Sequence, residues 1–214
     1  MWRNWSTRTT QNRVEVTPCG FKSHRAHRNQ TVAYITGVAL GDGNLSNPNG
    51  RAIRLRISCD IQYPNLIKYI AKHIKQVLPK NKVALTKRTD NCVDISCYSN
   101  LWPQILCWKN TSSKKSQNVN IPDWIYTQKT YIKSCLRGLL QTDGSIYTDR
   151  GYMMINFTNE LEDLSLSVFD MMHTLDYRPH IYKHTSKKHG RTKYTVRLSK
   201  NVSHFIKEIN LWKS

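Results

Sequence analysis

Acidic residues are scarce in this chain. Its 214 residues include 14 Asp and Glu against 33 Lys and Arg, a formal charge of +19. A soluble protein repels itself at that charge, and the usual reason to carry it is a polyanionic partner. Long apolar runs are absent too. No stretch of about 18 apolar residues occurs, so no segment is expected to span a bilayer. Helices with a mostly basic face, which would lie on anionic lipid, are not evident either, because Arg and Lys fall largely in strand-like segments. Nucleic acid is the favoured partner, and no membrane is expected.

Paired cysteines are missing. The six cysteines, Cys19, Cys59, Cys92, Cys97, Cys107 and Cys135, form no CxxC pair. Cys59, Cys97 and Cys135 sit in apolar-patterned segments and read as small core residues. A reducing, intracellular compartment follows, the cytoplasm of a microbe or an organelle matrix. Cys19, His24 and His27 sketch part of a zinc site, but no fourth ligand is evident. The N-terminus has no apolar core of a secretory signal. Residues 1–29 are basic, nearly acid-free and aperiodic, and are expected to form a flexible or loosely docked arm.

What is present is ordered twice. Gln30 to Gly41 is apolar and small. Asn49-Gly50 then signals a hairpin, after which Ile53, Leu55, Ile57 and Cys59 alternate with Arg54, Arg56, Ser58 and Asp60. Leu66, Ile67, Ile70, Ile74, Val77 and Leu78 recur at helical spacing up to Pro79. A second hairpin is predicted about Asp90-Asn91, with Val93, Ile95 and Cys97 inward. A short helix follows, with Ser99 or Asn100 as cap and Pro103 in its first turn. Residues 110–120, NTSSKKSQNVN, are polar and read as a linker. The order then restarts. A helix ends at Asp143-Gly144, a hairpin turns at Asp149–Gly151, and Leu161 to Leu175 carry helical spacing. A basic hairpin about His189-Gly190 and a last helix with Val202, Phe205, Ile206, Ile209 and Trp212 complete the chain. Each half reads helix, hairpin, helix, hairpin, helix, a repeat of about 100 residues and too long a period for a solenoid.

The repeat contains a duplicated nonapeptide, ITGVALGDG at 35–43 and LRGLLQTDG at 136–144. Gly37 and Gly41 share one helix face, as do Gly138 and Thr142, and small residues at that spacing let two helix backbones approach closely. If these helices pack together, Asp42 and Asp143 meet where they end. Two carboxylates at close quarters repel unless a cation lies between them, and oxygen ligands suit Mg²⁺ better than zinc. A single Asp-Gly after a helix is most often a turn device. Two in matching repeats, on a basic protein, point to metal-assisted phosphodiester hydrolysis.

These residues resemble the nonapeptides of the single-chain LAGLIDADG homing endonucleases. The third-place Gly, eighth-place Asp and ninth-place Gly are kept in both copies, while Leu40 and Gln141 stand at the usually acidic sixth place. The resemblance spans about residues 30 to 212. It implies an α+β fold of two pseudo-twofold αββαββα repeats, 30–109 and 121–214. Each repeat would carry a saddle-shaped antiparallel sheet, and the two would pack through the nonapeptide helices as a monomer. It implies that Asp42 and Asp143 are catalytic and bind Mg²⁺ or Mn²⁺, with help from the Gly41 and Thr142 carbonyls and with Ca²⁺ as a non-cleaving substitute. It implies cleavage of both strands of a long duplex site, leaving short 3′ overhangs. Family members also have basic or polar helpers. Lys109, Lys200, Asp60 and Asn159 are the candidates.

Strand alternation predicts the DNA-reading face. In the first half it comprises Asn44, Ser46, Arg54, Arg56, Ser58, Lys87, Arg88, Asp94 and Ser96, with Arg51 beside them. In the second half it comprises Tyr147, Tyr152, Met154, Asn156, Thr158, Lys183, Lys187, Lys188, Arg191, Lys193 and Arg197. Arg reads guanine edges and Asn reads adenine, whereas Lys at loop tips meets phosphates. The halves differ in composition, so the expected target is non-palindromic. Two rival readings are an intron maturase that binds RNA and a catalytically dead DNA-binding regulator.

Overall fold

Asn29 caps the first helix by accepting the Val32 N–H on its side chain at 2.9 Å. The computed structural model describes residues 29–186 and 190–213. The trio Cys19, His24 and His27 therefore lies outside the described residues, as do the remainder of the N-terminal arm, Lys187 and Lys188.

Helix α1 spans Gln30–Asp42 and is buried from Val32 to Leu40. A helix apolar all round belongs at the centre of a fold. Strands β1 (Gly43–Ser46) and β2 (Arg54–Asp60) follow, then α2 (Pro64–Val77), β3 (Val83–Lys87), β4 (Cys92–Tyr98) and α3 (Trp102–Leu106). The second half repeats this as α4 (Lys129–Thr142), β5 (Gly144–Asp149), β6 (Tyr152–Asn159), α5 (Glu162–Thr174), β7 (His180–Thr185), β8 (Thr192–Leu198) and α6 (Val202–Glu208). A 3-10 turn, Asp123–Thr127, precedes α4. The cap of α3 is Leu101, and Ser99 acts one step earlier by accepting the Leu101 N–H on its hydroxyl.

Each half holds one four-stranded antiparallel sheet, in the order β1-β2-β4-β3 and β5-β6-β8-β7. Gly43 faces Ile57 in one and Gly144 faces Phe157 in the other, so the two sheets begin in the same register. Their inner faces bury Leu55, Ile57, Ile95 and Cys97 in one half and Ile155, Phe157, Val196 and Leu198 in the other. Each such aliphatic or aromatic side chain contributes about 1.5–3 kcal/mol of burial free energy. The outer faces carry the polar set.

Helix α2 departs from expectation. Its apolar side is buried, but Lys68, Lys72 and Lys75 line its exposed side, so one helix does present a basic face.

The halves join where α1 meets α4. A Cβ on Gly37 would strike the Cys135 carbonyl, and one on Gly138 would strike the Tyr34 carbonyl. These two glycines are required by the close approach of the backbones. Gly41 lies against the Thr142 side chain, so all four residues assigned to the helix contact take part in it. The sixth-place residues are structural. Leu40 and Gln141 are both buried. Gln141 accepts from the Tyr34 hydroxyl across the seam at 2.8 Å and donates to the Trp212 carbonyl at 2.8 Å.

Candidate active site and nucleic-acid face

Asp42 is the last residue of α1, and Asp143 directly follows α4. Close helix packing thus brings the two carboxylates to one place. Burial and the neighbouring Asp143 push the Asp42 carboxyl up to about 6, against the pull of Lys114 and Lys213. Burial raises Asp143 as well, opposed by a hydrogen bond from Asn159 and by the same two lysines. Asn159 donates its Nδ2–H to Asp143 Oδ2 at 2.9 Å.

Lys114 and Lys213 are the residues that sequence reading missed. The Lys114 ammonium donates to the carbonyls of Ala39 at 3.3 Å, Leu40 at 2.7 Å and Gly41. Lys213 donates to the Thr142 and Gly144 carbonyls at 3.4 and 3.2 Å. Lys114 therefore binds the last-turn carbonyls of α1, and Lys213 binds the last carbonyl of α4 and the first of β5, where a cation offsets the negative end of each helix dipole. Burial lowers the affinity of Lys114 for its proton, while Asp143 and Asp42 favour its charge. The sequence does hold a signal, since each lysine follows its acid by some seventy residues, just past the third helix of its repeat. In Lys114 that signal was masked by a polar segment that reads as a spacer.

Of the four candidate helpers, only Asn159 touches an acid. Lys109 is exposed and lines a cleft of about 420 Å³ whose other walls include Gly41, Asn44, Lys114, Asp143 and Asn159. Lys200 is exposed just before α6 and does not line that cleft. Asp60 ends β2 on its outer side opposite Cys92, and its carboxylate accepts the Gln62 N–H at 2.9 Å. By register it matches Glu160 rather than Asn159.

The outer sheet faces hold most of the predicted reading residues. In the first half Arg54 pairs across from Ser46, Arg56 from Asn44 and Ser96, and Ser58 from Asp94. Asp94 accepts from Ser58 Oγ at 2.7 Å and lies 3.8 Å from Arg56 and 3.5 Å from Arg88. In the second half Tyr147 pairs with Met154, Asn156 with Arg197, and Thr158 with Thr195. Arg197 Nε donates to Asn156 Oδ1 at 3.2 Å, and its guanidinium sits over the Tyr182 ring at 5.5 Å. Tyr152, Lys193, Arg51 and Arg191 are exposed.

Two assignments are corrected by register. Lys87 pairs with Val93 and Lys183 with Tyr194, both inward-facing residues, so these lysines lie on the helix side of their edge strands. The Lys183 ammonium is 5.5 Å from the Tyr194 ring. In their place Thr86 shares the outer face with Asp94, and Tyr182 and His184 share it with Thr195 and Lys193.

The donor set fits a hard divalent ion. The seam offers two carboxylates and helix-end carbonyls, all oxygen, and no group of three or more His, Cys, Asp or Glu suited to a metal occurs among the described residues. Mg²⁺ typically binds through one or two carboxylates and takes its other ligands from water and substrate phosphates.

Two αββαββα units, joined by glycine-faced helices that each deliver one acid to the seam, define a pseudo-symmetric architecture with one shared centre. Known proteins show the same architecture. Residues 130–210 match the family model of the LAGLIDADG-like domain, and residues 31–95 match that of the WhiA LAGLIDADG-like domain. Mesophilic variants of the homing endonuclease I-DmoI superpose with a TM-score of 0.63 at 18% identity, over 84% of this chain and 94% of theirs. I-DmoI in complex with DNA and Mn gives 0.63 at 17% identity, over 84% and 96%. Full-length DUF199/WhiA from Thermatoga maritima gives 0.54 at 12% identity, over 91% of this chain and 59% of that one. No curated protein matches the sequence. Each half of the chain thus matches a LAGLIDADG-like domain, and the two together have the two-repeat LAGLIDADG fold.

Proposed function

We propose that the protein is a site-specific DNA endonuclease that hydrolyses one phosphodiester bond in each strand of a long asymmetric duplex site, using Mg²⁺ or Mn²⁺. The observation that carries this reading is the seam, where Asp42 and Asp143 stand together and a lysine is bound at each helix end. A regulator that only binds DNA has no need of two raised carboxylates side by side. The WhiA-like match over residues 31–95 makes such a regulator the main competitor. I-DmoI structures with target DNA contain Mn, Mg or Ca, which supports divalent metal use here.

A bound divalent ion supplies an activated water and stabilises charge on the leaving oxygen. The chain's own residues do the rest. Asp42 and Asp143 would hold the ion, beside the Gly41 and Thr142 carbonyls that accept from Lys114 and Lys213. Lys114 and Lys213 keep positive charge beside the place where negative charge develops. The outer sheet faces bind the groove, with Arg56 and Arg197 already oriented by Asp94 and by Asn156 and Tyr182. Short 3′ overhangs and action as a monomer belong to the same reading.

A second reading, a maturase that binds intron RNA, has one observation in its favour. The Lys68, Lys72 and Lys75 stripe on α2 belongs to a helix, not to either sheet, and the DNA reading leaves it unused.

Selection of cleaved sites from a random duplex library with Mg²⁺ tests the endonuclease reading. Recovery of one long non-palindromic site is expected. Specific retention of a duplex that is never cut would instead establish the regulator.

A further inference from the structure

Asn159 holds two partners at once. Its Nδ2–H donates to Asp143 Oδ2 at 2.9 Å, and its Oδ1 accepts the Leu161 N–H at 2.9 Å. The backbone thereby orients the amide, and the amide orients the carboxylate. A carboxylate held this way loses less freedom when it takes up a cation or a phosphate-bound ion.

Register identifies what stands in the same place in the other half. Because Ile57 faces Gly43 as Phe157 faces Gly144, Cys59 is the counterpart of Asn159. Cys59 is inward-facing and only 6% exposed. Burial first, and then the Asp42 charge nearby, push its thiol up to about 12. A thiol is both a weak donor and a weak acceptor, so it grips backbone and carboxylate far less firmly than an amide does. Among the described residues no hydrogen bond joins Cys59 to Asp42.

We infer that the two acids are held unequally: Asn159 is a positioning residue that fixes the Asp143 carboxylate, whereas Cys59 leaves Asp42 without a matching donor. The inference rests on the endonuclease reading. Its consequence is ordered cleavage. One strand is cut faster, and nicked duplex accumulates before the second cut.

Four full-length proteins test this: the parent, Cys59→Asn, Asn159→Cys and the double exchange. Single-turnover cleavage of a duplex labelled on each strand is read strand by strand. The parent should favour one strand by about tenfold. Asn159→Cys should slow that strand by about the same factor, Cys59→Asn should speed the other, and the double exchange should reverse the order. A role in folding alone would move both strands together. Tb³⁺ luminescence on the DNA-free proteins reads the acids without any turnover. It should show two classes of site in the parent, the weaker strengthened by Cys59→Asn and the stronger weakened by Asn159→Cys. Should Asn159→Cys fail to fold by thermal melting, Cys59→Asn alone still carries both readouts. Equal strand rates together with Tb³⁺ binding unmoved by the exchanges would overturn the inference. If the parent cuts no DNA but the Tb³⁺ classes respond, the endonuclease reading fails and the unequal holding of the acids stands.

Discussion

The Lys114 ammonium lies 2.7 Å from the Leu40 carbonyl oxygen, at the end of the helix that carries Asp42. It comes from the irregular segment between the two halves, whose next residue, Lys115, reaches Glu160 of the second half at 3.2 Å. The segment that joins the repeats therefore also completes the site. Lys114→Met should slow single-turnover cleavage by about 100-fold, the scale of losing one preorganised charge at a reacting centre. Lys213→Met should do the same. Neither change should alter the salt dependence of DNA binding by more than about one phosphate's worth. Cleavage at the parental rate by either variant would remove the lysines from the chemistry.

Asp42→Asn and Asp143→Asn address the acids themselves. Each keeps the shape of the side chain and removes the charge that would hold a divalent ion. Double-strand cleavage should be lost in both, while duplex affinity in Ca²⁺-free buffer stays within about threefold. Gel-shift and cleavage assays on the same duplex read the two quantities together. Normal cutting by either variant would show that the seam is a packing device only.

The raised Asp42 carboxyl has a consequence for stability. Its folded pKa of about 6 lies above the usual value of 3.8. Between those two values the folded state holds the proton more tightly than the unfolded chain does, so stability falls as pH rises from about 4 to about 6. Solvent reaches part of this side chain, and screening reduces the effect to about 1 kcal/mol. Thermal melting without divalent ions should therefore show a lower midpoint at pH 7 than at pH 5 from this group. Asp42→Asn should flatten that difference and raise the midpoint at pH 7 by a few degrees. A midpoint for Asp42→Asn that still fell by the parental amount would place the cause elsewhere.

Much of this architecture could be read from the residues, for reasons that also explain what could not. Apolar spacing located α2, α5 and α6, and the duplicated Gly and Asp located α1, α4 and the seam, because those patterns are local. Lys114 and Lys213 act some seventy residues from their acids, a separation no local pattern records. By residue type Asp60 looks like a helper, and Cys59, in an apolar-patterned strand, looks like core. Only the pairing of Gly43 with Ile57 shows which of the two occupies the position of Asn159. Lys87 and Lys183 were misassigned for a related cause. Charge on an edge strand attracts attention, but which side it faces is fixed by register with the inner strand.

Lys183 and Arg197 give a direct test of that parity. Arg197 lies on the outer face, held by Asn156 and Tyr182, whereas Lys183 shares the inner side with Tyr194. Arg197→Ala should weaken specific binding by about 1–3 kcal/mol and relax selectivity at one base pair. Lys183→Ala should change affinity by no more than about 0.5 kcal/mol. Competition binding against single-base variants of the selected site separates the two. The reverse ranking would mean that the inner sides of the edge strands, not the outer faces, meet the duplex.

The seam itself can be probed through size. Gly37 meets backbone, and its Cβ would need the two helices to separate, so Gly37→Ala should destabilise the fold by about 1–3 kcal/mol in urea unfolding. Gly41 meets the Thr142 side chain instead, which has somewhere to go if it is shortened. Gly41→Ala should therefore cost about 1 kcal/mol, and adding Thr142→Gly should return part of it despite the lower helix propensity of glycine. The coupling between positions 41 and 142 in a double-mutant cycle should be favourable by at least about 0.5 kcal/mol. Strict additivity at these two positions, with a Gly37→Ala protein as stable as the parent, would mean that α1 and α4 do not touch there in solution, and the meeting of Asp42 with Asp143 would lose its structural basis.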